Sequence, residues 1–445
     1  MKRIILPIAA MAAVAAYAVN PLVSTKYTAD PAPYVHGDTV YLYTTHDADD
    51  AEGFKMYDWL LYTSTDMVNW TDHGAVASLG DMKWYDKDNG AWAEQVIERN
   101  GKWYMYVPVH GSGISVLVAD SPYGPFVDVL GHPIVWQKEH WNDIDPTVMI
   151  DDDGRAYMYW GNPNPFYVKL NRDMISYNGG IVRLERPTDY QEGPWLFKRD
   201  GIYYMAFAST CCPEGIGYAI AYTPEGPWKA MGDIMPHTEK SRGNHPGIIQ
   251  FKDKWYVFGL NYDLLKDAYR REGKPFQHAE RRSVSVAEMH FRPDGTIEPI
   301  DYWTEEGVEQ VGSFDPYRRV EAETMAKARW VKTEKDGNGG IYVTDIHNGD
   351  YIMLQGVDFS QGVKKVEVMA QPLAGGTVEF RLDSPEGPVV ASVPVKGKAD
   401  KWQLFSAKAN GADGKHNLYI TFKGGDSALM NFDYWSITPN ANNKK

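Results

Sequence analysis

A chain of 445 residues is too long for one ordinary hydrophobic core, so two domains are expected. With 43% hydrophobic and 23% charged residues, the composition is globular rather than disordered. A net charge of −14 without a long basic run argues against nucleic acid or an anionic membrane surface as partner and leaves a neutral saccharide compatible.

At the N-terminus, Lys2 and Arg3 precede an apolar run from Ile4 to Ala16, and Ala16-Tyr17-Ala18 fits a small-x-small cleavage site. Residues 1–18 therefore read as a signal peptide, with a mature chain starting near Val19 or Asn20 in a periplasm or outside the cell. The run is too short to span a membrane comfortably, and no later stretch qualifies. The only cysteines, Cys211 and Cys212, are adjacent, which excludes a disulfide framework. A vicinal bridge strains the peptide between them, which weighs against a bond.

Hairpins with one texture recur along the first two thirds of the chain. The copies are Gly37-Asp38-Thr39-Val40-Tyr41-Leu42-Tyr43, Asn100-Gly101-Lys102-Trp103-Tyr104-Met105-Tyr106 and Asp153-Gly154-Arg155-Ala156-Tyr157-Met158-Tyr159. Asp200-Gly201-Ile202-Tyr203-Tyr204-Met205-Ala206 and Asp253-Lys254-Trp255-Tyr256-Val257-Phe258 follow. Each is a turn dipeptide followed by alternating aromatic and aliphatic residues, and a recurrence of about 50–60 residues is the long end of a propeller-blade period. Five blades over residues 19–312 are predicted, with a plain β-sandwich as the alternative. A second echo, Ser121-Pro122-Tyr123-Gly124-Pro125-Phe126 and Thr223-Pro224-Glu225-Gly226-Pro227-Trp228, falls between hairpins.

Three stretches set a carboxylate beside a proline ahead of a strand: Thr28-Ala29-Asp30-Pro31, Ile144-Asp145-Pro146 and Gln191-Glu192-Gly193-Pro194. Equivalent ends of innermost propeller strands converge on the axis, so Asp30, Asp145 and Glu192 are expected to meet in one pit. Two carboxyl groups facing each other across a substrate are what hydrolysis of a glycosidic bond with inversion needs, and a third can hold their proton affinities apart. Asp151-Asp152-Asp153-Gly154 lacks the ligand spacing of a calcium loop and reads as a hairpin turn.

On these motifs, with Gly201-Ile202-Tyr203-Tyr204, residues 20–310 resemble glycoside hydrolase family 43, a family of five-bladed propellers that hydrolyse with inversion. The resemblance implies that Asp30 is the general base, Glu192 the general acid, and Asp145 the group that raises the acid's proton affinity and orients it. It also implies an axial role for His245, in Gly243-Asn244-His245-Pro246-Gly247, as a calcium ligand or a hydrogen-bonded channel residue. Arg282 matches an arginine that reaches the sugar, with Arg281 as its alternative, and Trp92 and Phe166 match pocket walls or core residues. One departure is Glu94, after Ala93, where relatives commonly carry proline.

After a linker at 313–319, residues 320–439 change to short alternating strands separated by Gly-rich turns, a β-sandwich of jelly-roll type, and 440–445 form a polar tail. Glu321-Ala322-Glu323, Asn348-Gly349-Asp350-Tyr351-Ile352, Gly356-Val357-Asp358-Phe359 and Asn431-Phe432-Asp433-Tyr434-Trp435 resemble a family 6 carbohydrate-binding module. By that resemblance Glu321, Glu323 and Asp433 hold a structural calcium ion. The two positions expected to sandwich a sugar hold Asp345 and Lys398-Ala399-Asp400, Trp402 reads as core, and only Asn431 remains at the cleft. Weak or no xylan binding by this module is expected.

The combined reading is an all-β chain, a propeller followed by a sandwich, with no organic cofactor and with an arabinose- or xylose-containing oligosaccharide or polysaccharide as partner. An exported α-L-arabinofuranosidase acting on arabinoxylan or arabinan leads. β-D-Xylosidase, exo-β-1,3-galactanase and a non-catalytic glycan-binding protein are the alternatives.

Overall fold

A computed structural model describes residues 16–138, 142–211, 214–237, 244–397 and 401–440. Nearly all of the expected leader, Cys212, Gly243, Lys398-Ala399-Asp400 and the tail beyond Asn440 lie outside those residues.

Five antiparallel meanders follow one another. Blade I is Tyr27–His36, Thr39–Asp47, Met56–Ser64 and Trp70–Ser78; blade II is Gln95–Arg99, Lys102–Pro108, Ile114–Ala119 and Val127–Asp128. Blade III is Thr147–Ile150, Ala156–Trp160, Phe166–Leu170 and Tyr177–Arg183, and blade IV is Tyr190–Arg199, Ile202–Ser209, Gly215–Ala221 and Lys229–Met235. Blade V holds Gly247–Phe251, Lys254–Asn261 and Ser283–Met289, with the helix Asp263–Arg271 inserted before its third strand. First strands of successive blades touch, and that of blade V touches that of blade I, so the ring closes as a propeller. Gly247 is required there, because a Cβ would fall within 2.4 Å of the Pro31 carbonyl of blade I.

The five sequence repeats fall on the second strands of the five blades. Several of their tyrosines are buried and reach carbonyls of the next blade, as a buried phenol requires. Tyr43 donates to Pro122 at 2.7 Å, and Tyr159 donates to Pro224, which gives the Ser-Pro and Thr-Pro echoes a structural meaning as inter-blade locks. Asp151–Gly154 is a hairpin turn, with Gly154 at φ 79.

Blade V is finished by the N-terminal segment. Leu22 donates its N–H to Val284 at 2.8 Å, and the Asn20 side chain both donates to and accepts from the Val286 backbone at 3.0 Å. Tyr17–Val19 pairs with Glu306–Glu309, and Ala18 is wholly buried. The expected cleavage point after Ala18 therefore lies inside a paired strand.

The C-terminal domain is a sandwich of two antiparallel sheets. Lys365–Pro372 shows why: half-buried and buried positions alternate, and Val366, Val368 and Ala370 enter a core with Phe380, Phe422 and Trp435. The segment 313–319 is not a free linker, since Phe314 bonds Gly356 and Asp358 in the sandwich. Thr324–Met325 pairs with Trp70 and Thr71, extending blade I by one strand, and Ala326 and Met353 share a core with Trp70 and Val40. Propeller and sandwich are packed as one body.

Cys211 is disulfide-bonded, which corrects the reading that weighed against a bond. Oxidation of Cys211 is compatible with an exported protein.

Candidate active site

Two of the three motifs, Asp30-Pro31 and Glu192-Gly193-Pro194, are β-bulges, and Asp145-Pro146 lies just before the first strand of blade III. In blade I, Ala29 pairs with Thr45 and Ala32 with Tyr43, so Asp30 and Pro31 together face one residue. In blade IV, Glu192 pairs with Ala208 and Trp195 with Ala206, leaving Gly193 and Pro194 opposite one residue. Proline lacks the ladder donor and suits a bulge, and a bulge re-aims the neighbouring side chain. Asp30 at φ 49 and Asp145 at φ 57 take the left-handed region that short polar residues tolerate best after glycine. Gly193 is also left-handed at φ 58, and a Cβ on it would press within 3.0 Å of the His245 ring.

These turns bring all three acids around one imidazole. His245 Nδ1 lies 3.4 Å from Asp30 Oδ1, and Nε2 lies 3.3 Å from Glu192 Oε1 and 3.8 Å from Asp145 Oδ2. Asp30 is fixed from two sides: Thr45 Oγ1 donates at 2.9 Å and Arg282 Nη1 at 3.0 Å. The same guanidinium donates to both oxygens of buried Asp47, at 2.8 and 3.0 Å. Asp145 accepts the Gly193 N–H at 3.1 Å, and Asn162 Nδ2 donates to Glu192 Oε2.

Electrostatics follow from burial and crowding. Burial pushes the Asp145 carboxyl up to about 8, with His245 pulling it down and Glu192 and Asp30 pushing it further up. Burial opposes charge on His245, but Asp145, Asp30 and Glu192 outweigh it and raise its pKa to about 10. At neutral pH the pit thus favours an imidazolium at His245 and a protonated carboxyl at Asp145. Asp30 and Glu192, on opposite sides of one ring, supply the two carboxyl groups that hydrolysis with inversion needs.

Two participants carry no recognisable motif. Glu94 is 4% exposed, and neither carboxyl oxygen has a hydrogen-bond partner. Burial pushes its pKa well above the usual carboxylate range, with Asp30 adding to the rise and His245 opposing it. The missing proline after Ala93 was the only signal in the sequence. Phe54, 48% exposed in the connection between the second and third strands of blade I, lies 5.2 Å beneath the Arg282 guanidinium and 6.1 Å from Trp92.

Expected binding residues divide. Trp92 stacks on His110 at 4.1 Å and, with Phe54, stands beside the pit. Phe166 is a correction: it is buried against Trp160 at 5.9 Å inside the core that blade III shares with blade II. Arg282 points inward as expected, but its fork is taken up by Asp30 and Asp47 rather than left for a sugar hydroxyl.

Among the described residues, Asp145, Glu192 and His245 are the one group whose ligand atoms lie close enough, within 4.8 Å, to hold a metal ion. In the sandwich, Arg319 Nη2 bonds Glu321 at 2.8 Å and lies 3.8 Å from Asp433, while Glu323 is buried with one oxygen unpartnered. Burial raises the Glu323 pKa to about 9.

Trp402 is a second correction. It is 36% exposed, and its ring meets Tyr342 edge-on at 5.5 Å. Pairing of Gln371 with Asn431, and of Ala370 with Gln403, sets those amides in the same part of the sheet. Asn431 donates to Gln371 at 2.9 Å and accepts from Thr344 at 2.8 Å.

Residues 18–297 match glycosyl hydrolases family 43, and residues 321–439 match the family 6 carbohydrate binding module. The chain belongs to family 43. It is 33% identical to an arabinoxylan arabinofuranohydrolase of Paenibacillus polymyxa, with 95% of this chain and 74% of that protein covered. It is 30% identical to a protein of the same name from Bacillus subtilis (strain 168), with 94% and 92% covered. The crystal structure of a family 43 arabinoxylan arabinofuranohydrolase from Bacillus subtilis, in complex with cellotetraose, superposes with a TM-score of 0.83. That match spans 95% of this chain and 97% of the other at 30% identity, so the likeness includes propeller and sandwich together. The family 43 chain is a glycosidase with a C-terminal binding module.

Proposed function

We propose that the protein is an exported α-L-arabinofuranosidase that removes arabinofuranosyl units from arabinoxylan with inversion. The observation that carries the reading is the convergence of Asp30, Asp145 and Glu192 on His245 in a chain that matches arabinoxylan arabinofuranohydrolases over almost its whole length.

In this reading Asp30 is the general base. Thr45 and Arg282 hold it, so it meets water in one orientation and needs little reorganisation. Glu192 is the general acid, presented to the glycosidic oxygen by Asn162. Asp145 is tethered by the Gly193 N–H, and its raised pKa keeps a proton in the pit that also holds Glu192. His245 holds base and acid apart and supplies the positive charge that lets several carboxyls share a buried pit. Phe54 and Trp92 flank the sugar.

A cation fits the axis better than the sandwich. Asp145, Glu192 and His245 are, among the described residues, the one group with ligand atoms within 4.8 Å of one another, whereas in the sandwich Arg319 already pairs with Glu321 and lies 3.8 Å from Asp433.

The test is a panel of aryl α-L-arabinofuranoside, β-D-xyloside and β-D-galactoside, with the anomeric proton of the first product followed by NMR. Turnover of the arabinofuranoside with inverted product is expected. Dominant xyloside turnover or retained configuration would overturn the reading.

A further inference from the structure

Between the propeller and the sandwich lies a cleft of about 720 Å³ that the catalytic pit does not use. One wall is the helix Asp263–Arg271 and the N-terminal segment; the other is the sandwich from Lys327 to Lys332. Its charge is opposite to that of the chain, which carries −14 overall. Lys266, Arg270 and Lys327 are matched by Asp263, Asp267 and Glu305, at 2.8, 2.7 and 3.5 Å. Arg271 and Arg329 have no ion-pair partner among the described residues. Both instead lie over one indole: Arg329 is 4.0 Å and Arg271 5.5 Å from the Trp330 ring centroid.

Trp330 is itself unusual. It is 46% exposed and holds φ 65, a region that a bulky side chain occupies rarely and mostly at functional positions. Its ring gathers a guanidinium from each domain, so two donor forks are held at one end of the cleft before any ligand arrives. A guanidinium without an ion-pair partner suits a carboxylate, whose two oxygens match its donor fork.

Position supplies the rest. Tyr27 lines the same cleft and is three residues before Asp30 on one strand, about 10 Å along it. Its ring is flanked by Arg281 at 5.7 Å and by Lys332 of the sandwich at 5.9 Å. A polysaccharide with one sugar in the pit can extend its neighbouring units into this cleft.

We infer that the cleft is a distal subsite for an acidic sugar, with Arg271 and Arg329 receiving the carboxylate of a hexuronic acid on the same polysaccharide chain. The inference rests on the arabinoxylan reading only for the identity of the sugar in the pit; the acidic subsite can be read without hydrolysis.

The experiment uses the full chain at low ionic strength, with an arabinoxylan oligosaccharide bearing one hexuronic acid and its carboxyl-reduced, neutral counterpart. Wild type is expected to favour the acidic substrate by about five- to tenfold in kcat/KM, as a charge-assisted contact at a half-exposed site allows. The double variant Arg271→Gln with Arg329→Gln should bring that ratio to one, while turnover of an aryl arabinofuranoside stays unchanged and shows that the fold is intact. In parallel, the acidic oligosaccharide is titrated onto Glu192→Ala protein with and without the arginine substitutions. Weaker binding in the arginine variants supports the subsite even where the arabinofuranoside is not cleaved. Equal wild-type rates on the two substrates, or a preference that survives the double substitution, would overturn it.

Discussion

His245 stands between Asp30 and Glu192, 3.4 Å from one and 3.3 Å from the other, and the whole site is organised about that ring. It separates Asp30 from Glu192 and neutralises part of their charge. Its pKa is raised from 6.5 to about 10, so its ion pairs stabilise the fold fully below about pH 6.5, and that contribution is lost as pH rises through 10. His245→Gln should therefore flatten the decline of thermal stability between those limits and lower kcat by about a hundredfold or more. Melting curves across pH beside a pH–rate profile read both; an unchanged stability profile would contradict the ion-pair assignment.

Glu94 is buried with two unpartnered oxygens, an arrangement that costs about 1–3 kcal/mol. Its raised pKa has the same sign as that of Asp145: stability from either group is present at low pH and lost as pH rises, because the charged form is penalised. Glu94→Leu is expected to raise Tm at neutral pH while lowering kcat/KM on arabinoxylan. Stabilisation without loss of rate would show that Glu94 is an unused relic of packing.

The three acids were legible because each stands beside a proline, and the prolines mark the bulges and turns that aim them. Blade number was legible because the second strands repeat their aromatic pattern. Glu94 and Phe54 were not, since their roles come from burial and from which connection hangs over the pit, and neither leaves a spacing signal. Phe166 was misassigned because a strand that begins near the pit can still turn its ring inward onto Trp160. Trp402 was misassigned because it immediately precedes the edge strand Gln403–Lys408, where one position decides between core and surface.

In the sandwich, exposed Trp402 meets half-buried Tyr342 edge-on at 5.5 Å, which makes Trp402 the residue to test for xylan binding. Trp402→Ala in the full chain should abolish retardation by xylan in affinity electrophoresis while leaving aryl arabinofuranoside turnover intact. Unaltered retardation would move the binding face elsewhere.

Ala18 is buried and Tyr17–Val19 is paired with Glu306–Glu309, so cleavage after Ala18 would remove two residues of that paired strand. The exported protein is expected to begin at or before Tyr17, which intact mass measurement decides. A start at Val19 with unchanged Tm would show that the strand is dispensable.

Glu192→Ala, assayed on arabinofuranosides of good and poor leaving groups, tests the central claim most directly. A lost general acid should slow release of an alkyl or xylan leaving group by about a thousandfold or more and barely affect a dinitrophenyl one. Equal losses on both, or none, would contradict the assignment of Glu192 as the proton donor of this pit.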